Sequence, residues 1–353
     1  MQYNMVKEIY EQPKVIADTL TEAFSQARKA VQQLNARNLA MIYFTGSGTS
    51  YHACLAANYA LSTLTRIFST SLPASEFSSW VGGSGRTGTV LIAISQSGES
   101  ADVLAAAKSA ADTGMHTIGV TNSAESSLAQ ATEFQLVSRA GIEKAVTATK
   151  SFTATLAATY ALVIELTQSA STGPQSYEYL LAALKSISGK VELTIRLCDD
   201  PTRALASRFA DKDFYFMLGS GPNYSTALEG ALKLKESCNL YAEGFATREF
   251  LHGPMQLVDV RTPVFIIQGL EEEEQVHTLG ERFLRFGAST VVIKRKSEDT
   301  VSRSTATIEV APDIEEVFSP LAYVIPLQLY AYYSSLERGL NPDKPGKLTK
   351  VVK

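Results

Sequence analysis

A glycine-rich turn between a strand-like run and a helix-like run occurs twice in this chain. Gly46-Ser47-Gly48 lies within LAMIYFTGSGTSYHACLAANYALS, and Gly219-Ser220-Gly221 lies within DFYFMLGSGPNYSTALEGALKLKESC. An apolar run that ends in such a turn and is followed by a helical stretch is typical of parallel α/β layers. The matching order of elements around the two turns indicates an internal duplication of one α/β unit.

The runs that follow each turn extend the same alternation. TVLIAISQSGESADVLAAAKSAADTG repeats the pattern, two short β-rich runs follow (HTIGVTNS and EFQLVSRAG), and a long helix opens at Thr149. The second half continues with TPVFIIQG, a helical EEEQVHTLGERFLRFG, STVVIKRK and a helix over 318–338. We therefore predict an α/β fold with parallel α/β layers in both halves.

Two further segments frame this core. Residues 6–36 are predicted to form a helix, with Pro13 near its start, where proline is tolerated. STGPQ at 171–175 is the strongest signal for a boundary between the two halves.

Composition restricts the class of protein. The chain has 353 residues and a net charge of −4, so electrostatics give no indication of a nucleic-acid partner. No apolar run reaches the roughly 18 residues that span a bilayer, and the polar start is unlike a signal peptide. The three cysteines lack C-x-x-C spacing, which favours a reducing compartment and argues against a disulfide framework or a zinc site. We therefore expect a cytoplasmic protein that needs no metal. Neither half has a full G-x-G-x-x-G motif, so we expect no nicotinamide cofactor.

Three segments rich in small and hydroxyl residues precede predicted helices in the first half. They are GSGTS (46–50), SQSGES (95–100) and VTATK (146–150). Each could be a helix cap with a tight turn, since serine is a favoured cap. Ligands of open parallel sheets lie beyond the carboxyl ends of the strands, and helix N-termini bind anions. Together the three segments favour a phosphate-binding cradle of amides and hydroxyls.

The second half supplies titratable groups. Glu229, Lys233 and Glu236 are spaced four and three residues apart, so they share one face of a helix. Such a stripe is usually solvated and held by ion pairs, and catalysis is the alternative. His252 precedes Gly253-Pro254, a rigid turn that would fix an imidazole in place. The tail NPDKPGKLTKVVK has four lysines and one acid, which is typical of a frayed polar end.

Several long motifs, in order along nearly the whole chain, resemble the sugar isomerase (SIS) phosphosugar-binding family, and within it the isomerase half of the glucosamine-6-phosphate synthases. The matching motifs are KEIYEQP, SQSGES-AD, ALEGALKLKE, LHGP and VIPLQLYAYYSSLERGLNPDKP. The resemblance implies two tandem SIS domains in an α/β fold, each a doubly wound parallel sheet flanked by helices, Rossmann-like and of the flavodoxin type. It divides the chain into an N-terminal helical segment (1–37), a first, phosphosugar-binding SIS domain (38–172), a helical linker (173–200), a second SIS domain with the catalytic base (201–338) and a tail that closes the active site (339–353).

The resemblance also implies residue roles. The sugar phosphate is held by Ser95, Gln96, Ser97 and Ser100, and the sugar is contacted by Thr49, Ser50 and the backbone near Val146 and Ala148. Glu236 is the base that moves a proton between C1 and C2, and Glu229 and Lys233 support it and the hydroxyls. His252 assists ring opening from a neighbouring subunit, which implies a homodimer with shared active sites. Lys350 closes over the substrate.

Departures from the synthases decide the expected reaction. The chain begins Met1-Gln2 where a synthase has a glutaminase domain with an N-terminal cysteine, and Ser47 and Ala148 stand where cysteine and serine are usual. We therefore expect a stand-alone deaminase that converts glucosamine 6-phosphate and water into fructose 6-phosphate and ammonia. A fructosamine-6-phosphate deglycase, a galactosamine-6-phosphate deaminase/isomerase and a non-catalytic sugar-phosphate sensor remain alternatives.

Overall fold

A computed structural model describes residues 3–34, 39–81, 88–170, 175–297 and 304–350. The chain divides into two compact units. The N-terminal unit comprises Glu11–Glu143, Lys150–Ser188 and Thr349–Lys353, and the C-terminal unit comprises Met1–Tyr10, Lys144–Thr149 and Gly189–Leu348. The domain boundaries expected at 37/38 and 172/173 lie outside the described residues.

The N-terminal unit is built on a parallel sheet of five strands. They are β1 (Met41–Gly46), β2 (Phe68–Pro73), β3 (Thr89–Ile94), β4 (His116–Thr121) and β5 (Phe134–Val137). Their order is β2-β1-β3-β4-β5. All six residues of β3, TVLIAI, are buried, as expected for a central strand covered on both faces. Because Gly46 of β1 pairs with Ile94 of β3, the two strands end level.

Helices with small buried residues cover this sheet. They are the part of α1 (Asn4–Gln33) from Glu11 onward, α2 (Thr49–Leu64), α3 (Ala74–Val81), α4 (Ala101–Asp112), α5 (Ser127–Ala131), α6 (Lys150–Ala170) and the part of α7 (Tyr177–Arg208) up to Ser188. The buried face of α4 consists of Val103 and three alanines, and it packs with Leu91 and Ala93 of β3 in one apolar cluster. Alanine keeps the helix close to the sheet at little conformational cost.

The C-terminal unit repeats the architecture. Its strands are β6 (Phe214–Gly219), β7 (Tyr241–Ala246), β8 (Val264–Ile267), β9 (Thr290–Arg295) and β10 (Ala306–Val310), in the order β10-β9-β8-β6-β7. Its helices are the part of α7 from Gly189 onward, α8 (Asn223–Cys238), α9 (Glu273–Arg285) and α10 (Pro320–Glu337), and short 3₁₀ turns occur at Glu249–Leu251, Pro254–Leu257 and Glu316–Phe318. Buried side chains run along nearly all of α10.

The predicted fold class is confirmed. Numbered within each unit, both sheets have the strand order 2-1-3-4-5, the doubly wound order of flavodoxin-type folds. Helix α1 differs from its prediction because it begins at Asn4, which leaves Pro13 inside the helix instead of near its start. Among the helices of the described ranges, none combines the length and apolar character needed to cross a membrane.

Candidate active site

The loop that follows β3 is held in one conformation by local hydrogen bonds. Ser95 is buried, and its Oγ accepts a hydrogen bond of 3.1 Å from the Gly98 amide. Gly98 has φ +69°, and a Cβ there would lie 2.3 Å from Ser126 Oγ. Leu128 N donates to Gly98 O at 3.0 Å, so α5 fixes the other side of the loop. Only glycine fits at this position, and the loop is therefore preformed.

Ser100 stands at the N-cap position of α4 without acting as a cap. Within the described part of the chain its side chain makes no capping bond, whereas Ser126, the N-cap of α5, accepts from Ala129 N. The first amides of α4 have no partners inside the helix. The Ser100 hydroxyl and these amides form a donor set suited to an anion at the helix N-terminus.

The turn after β1 lies at the same edge of the sheet. A Cβ on Gly46 would lie 2.9 Å from the backbone of Ser50, and Gly48 has φ +54°, so both glycines are needed to bring α2 close to β1. Thr49 and Ser50 open α2 and are half-buried. Since β1 and β3 end level, GSGTS and SQSGES are brought to one edge, as the sequence predicted.

A cavity of about 500 Å³ opens beside the β3 loop. Its wall is formed by Gln96, Ser97, Asn122, Ser123, Gly141, Ile142, Glu143 and Lys350. The Lys350 ammonium lies 2.6 Å from Glu143 Oε2. The Glu143 side chain is fully buried and also accepts from the amide (3.1 Å) and the hydroxyl (2.6 Å) of Ser151. Tail residue Lys350 is therefore paired in the wall of this cavity.

Helix α8 carries a buried cluster of charges in the C-terminal unit. Lys233 Nζ lies 3.0 Å from Glu229 Oε1 and 2.8 Å from Glu236 Oε2. The Lys233 and Glu229 side chains are fully buried, and that of Glu236 is 21% exposed. Burial alone would lower the pKa of Lys233, but the two carboxylates outweigh it and raise the pKa well above its ordinary value. Lys233 is therefore an ammonium ion.

Close packing around α8 explains why this cluster is buried. A Cβ on Gly230 would lie 2.5 Å from Leu327 of α10, and one on Gly244 of β7 would lie 2.7 Å from the α8 backbone. The opposite face packs inward as predicted, on Ala227, Ala231, Leu234 and Cys238. The alternative of a solvated stripe is wrong, because tertiary packing fully buries Glu229 and Lys233 and leaves Glu236 only partly exposed.

The segment VTAT belongs to the C-terminal unit, although the next residue, Lys150, opens α6 of the other unit. Lys233 Nζ donates to Ala148 O at 3.3 Å, which ties the segment to the charge cluster. Val146 and Ala148 are both half-buried. His252 is exposed on the turn between two 3₁₀ segments, where Gly253 has φ +140°. The structure thus brings Ala148 together with Lys233.

Sequence reasoning missed Glu143 and Asp343. Glu143 lies three residues before Val146, but its charge gave no sign that it is buried and paired with Lys350. Asp343 is only 7% exposed, and its carboxylate accepts from Asn4 N and Met5 N at 2.8 Å each. The tail is therefore anchored at Asp343, and the expectation of a frayed polar end is wrong there.

Across the described residues, no group of three or more His, Cys, Asp or Glu side chains is placed to hold a metal ion.

The fold and the motifs identify the class of protein. The SIS domain family model matches residues 33–165 and again residues 208–338, one match for each parallel sheet. These matches cover more than half of the chain, so the protein belongs to the SIS domain family.

Particular relatives extend this assignment. The chain is 36% identical to the glutamine–fructose-6-phosphate aminotransferase [isomerizing] of Methanothermobacter thermautotrophicus over 356 residues, and 36% identical to that of Thermococcus kodakarensis over 351 residues. Each alignment covers 99% of this chain and 57% of the relative, so the chain spans a little over half of their length.

Solved structures agree with the fold. The C-terminal domain of glucosamine-fructose-6-phosphate aminotransferase from Francisella tularensis superposes with a TM-score of 0.88 at 26% identity, covering 98% of this chain and 99% of that one. Glucosamine-6-phosphate deaminase from Thermotoga maritima superposes with a TM-score of 0.72 at 24% identity, covering 96% of this chain and 99% of that one. The second likeness concerns the fold alone.

Proposed function

We propose that this protein is a sugar-phosphate isomerase that acts as a glucosamine-6-phosphate deaminase. The observation that carries the proposal is the buried ammonium of Lys233 between Glu229 and the partly exposed Glu236. Burying three charges costs several kcal/mol per ion before pairing, and apolar residues of similar size would serve stability as well. A perturbed, buried cluster with one accessible carboxylate is typical of an active site.

The loop after β3 is proposed to bind the phosphate. Gln96, Ser97 and Ser100 offer side-chain donors, and Ser95 shapes the loop through its bond from Gly98. Thr49, Ser50 and the backbone at Val146 and Ala148 are proposed to contact the sugar. A phosphate bound through several donors orients the hexose for the reaction. By fixing this orientation, the binding energy of the phosphate contributes to the rate.

The proposed reaction proceeds through the open-chain sugar. A proton passes from the C1 hydroxyl to the ring oxygen as the C1–O5 bond breaks, which leaves an aldehyde at C1. The Glu236 carboxylate removes the proton from C2 and delivers it to C1, while a proton passes from the C2 amino group to the C1 oxygen, so that C1 becomes a CH2OH group and C2 an imine. Water then adds to the imine and ammonia leaves. The products are fructose 6-phosphate and ammonia, and atoms and charge balance.

The two lysines have different proposed roles. An imine-forming lysine must be neutral when it attacks, and the raised pKa of Lys233 opposes that. Lys233 instead stabilises negative charge that develops near Glu236. Lys350, which is 28% exposed, is the tail lysine that we assign to closure over the substrate.

His252 is proposed to assist ring opening in the active site of a second subunit. Its exposure and the rigid Gly253-Pro254 turn support a role outside its own core. This assignment requires a homodimer, which light scattering on the purified protein would detect. We place the protein in the cytoplasm, because its three cysteines are free and buried.

The direct test is an assay of the purified protein with glucosamine 6-phosphate. We expect fructose 6-phosphate and ammonia in equal amounts. If galactosamine 6-phosphate or a fructosamine 6-phosphate reacts and glucosamine 6-phosphate does not, the substrate assignment is wrong but the isomerase class stands. Binding of all these sugars without turnover would leave a sensor and refute the enzyme.

Two serines at helix N-cap positions, of which only Ser126 makes a capping bond, provide a matched test of the phosphate cradle. Ser100→Ala should raise KM about 5- to 10-fold, as expected for one hydrogen bond to a charged group, and should leave the free energy of unfolding unchanged. Ser126→Ala should instead cost about 1 kcal/mol of stability, because it removes a capping bond. Equal KM values for wild type and Ser100→Ala would exclude Ser100 from the phosphate site.

A further inference from the structure

The backbone of residues 144–149 is held at almost every residue by groups of its own unit. The Glu8 carboxylate accepts from the amides of Lys144 and Ala145, the latter at 3.3 Å. Asp343 O accepts from Val146 N at 3.0 Å. Two side chains donate to the carbonyl oxygens of the segment, Lys233 to that of Ala148 at 3.3 Å and Gln328 to that of Thr149 at 3.5 Å.

Among these groups, Asp343 also binds the first residues of α1. Its Oδ2 accepts from the amide and the side chain of Asn4, and its Oδ1 accepts from Met5 N, each at 2.8 Å. It thereby caps α1 from 339 residues away, where helices are ordinarily capped by a neighbouring residue. A carboxylate at a helix N-terminus is also favoured by the helix dipole. One turn further along, the same helix carries Glu8.

Two residues of the tail, Asp343 and Lys350, contact residues 144–149 or the residue just before them. Asp343 binds Val146 directly and holds the helix whose Glu8 binds Lys144 and Ala145. Seven residues after Asp343, Lys350 pairs with Glu143, the residue that immediately precedes the segment.

We propose that Asp343 is a positioning residue that sets the geometry of residues 144–149 for the reaction, through its carbonyl and through the helix that it caps. The role rests on the proposed function, since it is Val146 and Ala148 that are assigned to the sugar. Asp343 touches neither the substrate nor Glu236. Loss of its carboxylate releases the tail from the start of α1; this shifts the Asp343 carbonyl and Glu8, and with them the backbone that contacts the sugar, while the β3 loop keeps its own hydrogen bonds.

The experiment compares Asp343→Ala and Asp343→Asn with a stability control. Thr194→Val is the control, because Thr194 is fully buried and its Oγ1 accepts from Ala311 N at 3.0 Å without contacting residues 144–149. All three variants should lose stability. At a temperature where each is folded, kcat should fall about 10- to 100-fold in Asp343→Ala, as displacements of about 1 Å do elsewhere, and less in Asp343→Asn, which keeps one acceptor oxygen.

Two further measurements distinguish a positioning role of Asp343 from a general loss of stability. The affinity for inorganic phosphate should stay within about 2-fold in both Asp343 variants. Amide exchange at Val146 should accelerate in Asp343→Ala and stay unchanged in Thr194→Val. If Asp343→Ala folds poorly, Asp343→Asn carries the same comparison. The role is overturned if wild type turns over the sugar phosphate and the Asp343 variants match Thr194→Val in kcat. A wild type inactive on every amino-sugar phosphate refutes the proposed function itself, and the role with it.

Discussion

The two parallel sheets have the same strand order but different chemistry at the ends of equivalent strands. After β3 the chain provides serines, Gly98 and the N-terminus of α4, with its donors available to an anion. After β8 it provides Glu272, which accepts from Gly269 N at 2.8 Å, beside the ion pair of Arg295 with Glu316 (2.8 Å). The loop after β3 suits a phosphate better, because its one carboxylate, Glu99, already accepts from the amide and the hydroxyl of Ser127, whereas the carboxylates gathered after β8 would repel an anion. The strand order alone thus does not decide which loop binds an anion.

The helices that follow the first strand of each sheet also differ, and here it is the C-terminal unit that carries the charged residues. The buried positions of α2 are all apolar, from Ala53 to Leu64. The equivalent helix α8 buries Glu229 and Lys233 among its apolar residues. Under the proposed function, the N-terminal unit supplies the anion site and the C-terminal unit supplies the titratable groups.

The largest expected effect comes from the carboxylate of the second half. Glu236→Gln keeps the shape of the side chain but removes the base, so we expect kcat to fall by about 10³-fold or more, with phosphosugar affinity almost unchanged. Glu243→Gln, at an exposed position on β7, is the matched control and should retain full activity. Steady-state kinetics and calorimetry measure the two effects. Normal turnover in Glu236→Gln would end the assignment of Glu236 as the base.

The second prediction concerns stability. Lys233→Met leaves the fully buried Glu229 without its cation, which should lower the free energy of unfolding by about 3–5 kcal/mol. Lys235→Met removes a lysine from the exposed side of the same helix and should change stability by no more than about 0.5 kcal/mol. Urea unfolding of both variants tests the contrast. Equal stabilities would mean that Lys233 does not compensate buried charge.

The third prediction compares the glycines that follow β3 and β8. Gly98→Ala forces an L-residue to φ +69° and places Cβ against Ser126, so we expect a loss of about 2–4 kcal/mol together with phosphate binding. At Gly269 the nearest atoms, at 2.9 Å, are the ends of the flexible Glu272 and Glu316 side chains, so Gly269→Ala should cost far less. Thermal unfolding ranks the two variants, and the reverse ranking would contradict a preformed loop after β3.

The fold and part of the candidate site were predictable from local patterns. Apolar runs that end in Gly-Ser-Gly indicated strands followed by helices, and the structure places both turns where the pattern required. The level ends of β1 and β3 follow from a parallel sheet, so the meeting of GSGTS and SQSGES needed no further information.

Burial was not predictable from the same patterns. The spacing of Glu229, Lys233 and Glu236 fits a solvated stripe equally well, and only the close approach of α10 and β7 at Gly230 and Gly244 decides against it. The contacts of the Asp343 carboxylate with Asn4 and Met5 join residues more than 300 positions apart, and no local signal specifies such a pair. Helix α1 begins earlier than predicted for the same reason, because its cap comes from the tail.

The smallest effect that we expect is a change in the pH dependence of stability from the acidic cluster after β8. Burial is the main cause of the raised pKa of Glu316, Arg295 lowers it and Glu272 raises it further. A carboxyl whose pKa is higher in the folded state contributes stability below its unfolded value of 4.5, and that contribution is lost as pH rises through the folded value. Relative to Glu316→Gln, wild type should therefore lose stability as pH rises above 4.5 and then level off.

Urea unfolding at several values between about pH 4 and pH 7 measures this difference, with Glu271→Gln as the control for removing one exposed charge from the same loop. A difference that grows with pH would mean that Arg295 stabilises the ionised form more than burial disfavours it, and the loop after β8 would then be a compensated cluster with no net cost.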